Sequence, residues 1–345
     1  MANKKISELI ELINPDGAEE LIVNDGGISK RLSLNNLEVG GLEIKTAANS
    51  NIGLGSSALG SLTTGNYNVG VGDQAVKNVT SAGSNTAIGH NSLRGATTAT
   101  GNSALGFQSM YYSTTGVNNV AVGYRSLFSN TTGVANTAIG RDALQKNTTG
   151  NDNVGVGYQA LFSNTTGAYN VAIGKSALYN NTTGLNNTAL GYSALSTTTT
   201  GQNNTGLGYN ADASSAAANN EITLGNSSVA TLRCNVTTIT SLSDERDKDN
   251  IQDLDAGLEF INNLRPVRFD WNMRDGGKVG VNDTGFIAQE LQSAQQTTGV
   301  QIPNLVMDEN PDKLEAGYGT LVPVLVQAVK ELTARVQQLE KQLQG

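Results

Sequence analysis

The chain has 345 residues, enough for two or three domains, but aromatics make up only 5% and charged residues 15%, with 40 glycines. That balance is poor for one large globular core and suits thin coils lined by small aliphatics. The net charge of -8 argues against nucleic acid or an anionic membrane surface as partner, and the lone Cys234 excludes an intrachain disulfide or a thiolate metal cluster.

Residues 1–45 form a non-repetitive head. Ile6, Leu9, Ile10 and Ile13 sit at helical spacing and predict a short helix that stops at Asn14-Pro15. Glu20–Val23 and Ile28–Leu32, separated by Asn24-Asp25-Gly26-Gly27, predict a hairpin. This head is either a cap for the rest of the chain or a module that docks onto a larger assembly. The apolar patch after Met1–Lys5 is too short for a signal-peptide core, and no stretch approaches a membrane span, so synthesis in a cytoplasm and a soluble product are expected.

From Gly55 to Gly225 a glycine recurs every 17 residues without a slip. A fixed short period held over half the chain predicts stacked, equivalent coils. Good copies run Asn136-Thr137-Ala138-Ile139-Gly140 to Thr148-Thr149-Gly150, and Asn170-Val171-Ala172-Ile173-Gly174 to Thr182-Thr183-Gly184. Each unit offers a strand of three or four residues with one aliphatic and one nearly side-chain-free face. The small face predicts close approach of another stretch of backbone, the phased glycine a bend with unusual dihedrals, and Thr-Thr-Gly a second turn. Eleven coils at roughly 4.8 Å each give a rod on the order of 50 Å long. One such coil encloses little core, so side-by-side, threefold association is expected to supply the missing burial.

The Asn-Thr-Ala-Ile-Gly-x-x-Ala-Leu units resemble the head repeats of trimeric autotransporter adhesins and repeats of phage tail fibres, which implies a trimeric parallel β-roll. Residues 226–242, with Val229, Leu232, Val236, Ile239 and Leu242, form a transition without the repeat. Acids, bases and prolines then become dense. Asp253–Leu264 predicts a helix with Leu254, Leu258 and Ile261 on one face, Arg268–Trp271 a strand, and Gly285–Leu291 the opening of another helix. Leu325, Val329, Leu332, Val336, Leu339 and Leu343 alternate steps of four and three, the seam of a coiled coil over 324–344.

Several blocks carry a second resemblance: Ser243-Asp244-x-Arg246-x-Lys248-x-Asn250-Ile251, then Gly285-Phe286-Ile287-Ala288-Gln289-Glu290, then Tyr318 with Leu321 and the terminal heptads. In this order they resemble the intramolecular chaperone domain of phage tailspikes and fibres, the endosialidase-type self-cleaving peptidases. The resemblance implies a trimeric domain that guides fibre assembly and cuts itself away through a Ser/Lys pair. A serine hydroxyl attacks once a base removes its proton, and a lysine serves when burial or nearby positive charge lowers its pKa; Arg246 is placed to help. Ser243 is then the nucleophile on the carbonyl of Leu242, Lys248 the base, and Asp244 an orienting group, with the cut between Leu242 and Ser243. A spacing of five does not stack side chains on one helical face, so a turn is expected. Taken alone, these six residues also read as a charged, solvated linker.

Elsewhere the chemistry is sparse. Between Asn51 and Gly208 the only acids are Asp73, Asp142 and Asp152, on separate coils, against the paired carboxylates that glycan hydrolysis needs. His90 is the only histidine, which excludes a histidine triad or a multi-histidine metal site. The Asn-Thr-Thr sequons at Asn130, Asn147, Asn164 and Asn181 read as turn residues fixed by the repeat, and the threonines sit at turns rather than on the flat strand ranks that ice binding needs. Tyr124, Tyr158, Tyr192 and Tyr209 share the position after the phased glycine and form either a packing ladder or a stacking surface for sugars.

The fold expected is mainly β: a trimeric parallel β-solenoid of 17-residue repeats over 46–225, a transition over 226–242, and a small α+β chaperone domain over 243–345 ending in a coiled-coil helix. The function expected is that of a phage tail fibre or related virion appendage. Its partners would be two further copies of itself, a virion tail or baseplate protein through residues 1–45, and a host surface glycan or receptor, with no cofactor or metal, no nucleic acid and no membrane insertion. A fibre that retains its C-terminal domain and a bacterial trimeric surface adhesin are the alternatives.

Overall fold

A computed structural model describes the strand backbones between residues 9 and 47, and residues 50–229, 232–233, 243–274, 278–308, 310–312 and 314–344. They fall into two compact units, Met1–Gly225 and Asn226–Gly345.

The first unit opens on an antiparallel sheet of β1 (Leu9–Ile13), β2 (Glu19–Asp25) and β3 (Ile28–Ser33). The expected hairpin is present, although Asn24 and Asp25, placed in its turn by the sequence, are strand residues opposite Ser29 and Ile28. The expected N-terminal helix is not: Leu9–Ile13 pairs as a strand with Glu19–Val23. A helix this short has little stability in water, whereas Leu-Ile-Glu-Leu-Ile is rich in strand formers and the hairpin beside it offers an edge. Ile6 lies outside the described residues.

A second hairpin, β4 (Asn36–Val39) and β5 (Leu42–Ala47), lies antiparallel against β6 (Asn51–Leu54). From there every strand is parallel to the next, one per coil, through β16 (Ile222–Leu224), and the whole forms one sheet of thirteen strands. Register advances by one repeat, as in Thr137↔Val154, Ala138↔Gly155 and Ile139↔Val156. The small middle residue of each strand faces inward. Ala138, Ala143 and Leu144 are all fully buried, and such residues recur coil after coil along one continuous apolar core.

The phased glycines Gly55 through Gly208 have φ between 117° and 139°, a region that side-chain-bearing residues avoid. A Cβ on Gly123 would lie 2.6 Å from the carbonyl oxygen of Gly140 in the next coil. The glycine of Thr-Thr-Gly answers a different need. Its φ is ordinary, but a Cβ on Gly116 would come within 2.6 Å of Gly133 O.

Buried asparagines join the coils. Asn136 donates its backbone N–H to Asn119 Oδ1 at 2.9 Å and its Nδ2 to Gly150 O at 2.8 Å, while its own Oδ1 accepts from Asn153. The column runs from Asn51 to Asn204 and ends at Glu221, whose carboxylate accepts from Ser214 instead. A second column links Asn130, Asn147, Asn164 and Asn181. These are the sequon asparagines. All four are fully buried, so a folded coil offers none of them as a glycan acceptor.

The second unit contains α1 (Leu258–Asn262), an antiparallel pair β17 (Val267–Asn272) and β18 (Val279–Gly285), α2 (Ala288–Thr298), a short pair β19 (Val306–Met307) and β20 (Glu315–Ala316), and α3 (Leu321–Gln344). Two expected helices are shorter than the sequence suggested. Residues 253–257 are not helical, because α1 starts only after Gly257, where Glu331 of α3 accepts the Leu258 N–H at 2.8 Å. Gly285 closes β18, and α2 begins three residues later. Phe260, Leu291, Leu305, Leu321 and Val324 form the core of this unit. The heptad seam of α3 faces outward, with Leu325, Val329, Leu332, Val336, Leu339 and Leu343 all exposed. No helix among the described residues is long and apolar enough to cross a membrane.

Candidate functional site

The segment at the head of the second unit folds through a capped turn. Asp244 has extended dihedrals and accepts the Arg246 N–H on Oδ1 at 2.9 Å, which starts a single 3-10 turn over Glu245–Asp247. Lys248 ends the turn, extended again, with its N–H bonded to Glu245 O. The reversal returns the Lys248 side chain to the start of the segment. Its Nζ donates to Ser243 Oγ at 2.7 Å and to Ser243 O at 3.1 Å. The sequence expectation of a turn that joins Ser243 to Lys248 is therefore met in geometry. A hydroxyl within 2.7 Å of an amine has the contact that base-assisted nucleophilic attack requires.

Asp244 and Arg246 are occupied with each other. Arg246 bonds the Asp244 carboxylate through Nε at 3.0 Å and Nη2 at 2.5 Å. The Arg246 side chain, and then its backbone N–H, hold the Asp244 carboxyl below the usual carboxylate range, and Asp244 raises Arg246 in return. Asp244 thus caps the turn and holds Arg246. Residues 243–250 are all exposed in the single chain, and Leu242 lies outside the described residues.

The other sequence blocks meet beside the core of the unit. The Tyr318 hydroxyl accepts the Phe286 N–H at 3.1 Å and donates to Phe286 O at 3.2 Å, with the two rings edge to face. Gly285 leaves room for this, since a Cβ there would stand 2.7 Å from the hydroxyl. Glu290, at the end of the same block, pairs with Arg265. Sequence reasoning missed the Arg265–Glu290 pair and the Glu331 contact to α1. Only Gly257, whose Cβ would strike the Glu331 carboxylate, could have hinted at the latter.

In the first unit, the ring ladder expected after the phased glycines is present in part. Phe107 stacks on Tyr124 and Tyr192 on Tyr209, with planes within 20°. Between these pairs the column carries cations that the sequence reading passed over: Arg141 lies over Tyr124 and Tyr158, and Lys175 over Tyr158 and Tyr192. His90 is exposed and contacts Asp73 at 3.3 Å. Among the described residues no cluster of three or more His, Cys, Asp or Glu could hold a metal ion.

A family model described as "Chaperone of endosialidase" (Peptidase_S74) matches residues 243–307. The match begins at Ser243 and takes in the Ser/Lys turn and the Gly285–Glu290 block, while Tyr318 and α3 fall beyond it. It assigns this segment a folding-chaperone role of the endosialidase type. Searches of curated proteins and of solved structures returned no match.

Proposed function

We propose that the chain is a trimeric fibre protein, a phage tail fibre or related virion appendage, whose C-terminal unit assembles the fibre and then releases itself. The observation that carries this reading is the 2.7 Å contact of Lys248 Nζ with Ser243 Oγ at the first residue of the chaperone match. In the proposed reaction, neutral Lys248 takes the Ser243 hydroxyl proton as Oγ attacks the carbonyl carbon of Leu242. The Leu242–Ser243 C–N bond breaks, the proton passes to the departing Ser243 nitrogen, and an ester remains. Water then opens the ester, leaving a carboxylate on Leu242 and a free amine and hydroxyl on Ser243. Covering the exposed dyad with neighbouring chains would favour the neutral lysine, since burial disfavours the charged form. Cleavage would in this way come after assembly.

Two exposed apolar surfaces support the trimer. One is the α3 seam. The other is the outer face of the solenoid sheet, where Ile88, Leu105, Ile139, Ile173, Leu190 and Leu224 stand 40% to 50% exposed in a column without a single charge. A coiled coil that sets three chains in register lowers the entropic cost of the later, non-local strand stacking, and losing the guide leaves the fibre kinetically trapped. The N-terminal head would dock to the virion and the shaft would contact the host surface.

The test compares intact masses of the wild type, Ser243→Ala and Lys248→Met after expression. The wild type is expected to split after Leu242 and both variants to stay whole. Cleavage that persists in both variants would overturn the assignment. A wild type that stays whole as a trimer would instead support a fibre that keeps its C-terminal unit, a reading favoured by the exposed dyad.

A further inference from the structure

The six Lys and Arg residues between Asn51 and Gly208 are Lys77, Arg94, Arg125, Arg141, Lys146 and Lys175. All of them lie in the six-residue segments just after the phased glycines, so one strip of an acidic protein collects the cations of the whole shaft. The same segments carry the stacked rings. Arg125 joins their two sides, standing 5.7 Å from the Tyr124 ring and 4.8 Å from that of Phe128.

Among the described residues, most of these cations lack a carboxylate partner. Arg141 pairs with the buried Asp142; of the strip's other acids, Asp73 contacts His90 and Asp212 accepts the Thr197 N–H. Arg94 and Arg125 donate to the Gln74 and Gln108 amides, and Arg94 also to the Tyr111 hydroxyl. Lys146 and Lys175 rest on Phe162 and on Tyr158 with Tyr192. Rings and amides therefore hold these charges in position without neutralising them, which leaves them available to an anionic ligand.

We infer that this strip binds an acidic polysaccharide, one with a carboxylate on every sugar or every second sugar. Arg125 and Lys175 sit three coils apart, about 14 Å along the stack at the strand spacing. That interval suits a sparsely charged polymer better than duplex nucleic acid, which carries one charge per roughly 1.7 Å and would be repelled by a net charge of -8. Interleaved tyrosines supply hydroxyls and apolar surface for sugar rings between the charges. The rings stack on one another or on cations along the column, so a chain of sugars would run across ring edges and cationic heads rather than between ring faces.

The inference deepens the adhesive reading of the shaft and is tested by binding alone, so it can fail without touching the cleavage or trimer claims. Full-length protein, kept whole by Ser243→Ala, would be titrated with polygalacturonate oligomers, with dextran oligomers of equal length and with oligo-dT. The variant Arg125→Gln/Lys175→Gln, checked for wild-type circular dichroism, would be compared with Arg268→Gln/Lys341→Gln, which removes two cations outside the shaft. Expected are salt-dependent binding of polygalacturonate alone, a loss of about tenfold in the shaft variant, and none in the other. Equal loss in both variants, equal binding of dextran, preference for oligo-dT, or no binding of polygalacturonate would overturn it.

Discussion

Replacing Asn136 by alanine tests how the solenoid is held together. The side chain makes four hydrogen bonds, two donated by Nδ2 and two accepted by Oδ1. Its loss is cushioned at three ends. Gly150 O still accepts from Asn147, Asn119 Oδ1 from the Asn136 N–H, and the Asn153 side chain still donates to Gly167 O. The Asn153 N–H, by contrast, loses its acceptor in a fully buried place. One stranded donor costs about 1–3 kcal/mol, and the small void adds to it, for roughly 2–4 kcal/mol in all. Asn136→Asp keeps the acceptor for Asn153 but turns a second carboxylate oxygen toward Gly150 O and Asn119 Oδ1. Burial and these oxygens raise the pKa of the new carboxyl above its unfolded value of about 3.9. Its folded form then binds the proton more tightly, so relative stability falls as pH rises from that value through the raised one. Guanidinium unfolding of the full chain, monitored by circular dichroism, should place Asn136→Ala well below wild type at pH 4.5 and 7.5. Asn136→Asp should approach wild type only at the lower pH. An alanine variant within about 0.5 kcal/mol of wild type, the scale of a neutral surface change such as Thr132→Ala, would refute the ladder as a stabilising element.

The backbone and the second unit give three further expected outcomes. Gly123→Ala should lose at least about 3 kcal/mol, because its Cβ meets the Gly140 carbonyl and its φ is 131°. Ala135→Gly, at an exposed site with φ 56°, should be neutral or stabilising by up to about 1 kcal/mol, the left-handed penalty less the added freedom of the unfolded chain. Trp271 is the single tryptophan and its Nε1 donates to Asp283, which that bond, together with the weaker effect of the Thr284 N–H, holds below its ordinary value of 3.8. The contact is therefore complete above that value and is lost as pH falls through the depressed one. Trp271 emission should titrate below the normal Asp range, and Asp283→Asn should abolish the transition.

The solenoid was legible because its constraints repeat. Glycine at one phase and an Ala or Gly two places before it report a bend and an inward-facing strand residue in every coil. Other features left no such mark. Each coil also places ordinary residues in left-handed conformations, as at Arg125 and Leu127 with φ near 51°, and residue type there carries no signal. The asparagine column was visible as a repeated letter, but its bonds join residues 17 apart, which no local pattern shows. In the second unit, the Ser243–Lys248 turn could be anticipated from spacing. The mutual bonding of Asp244 and Arg246 could not, since a charge pair two residues apart is read equally well as two solvated side chains. The start of α1 depends on Glu331, 73 positions from Leu258, and the fate of Leu9–Ile13 on a neighbouring hairpin.

The most direct test of the account is the native mass of wild-type protein purified after full expression. A trimer of chains ending at Leu242, with the C-terminal unit recovered separately and beginning at Ser243, is the predicted result. A 35.9 kDa monomer, with Ser243 still joined to Leu242, would contradict it.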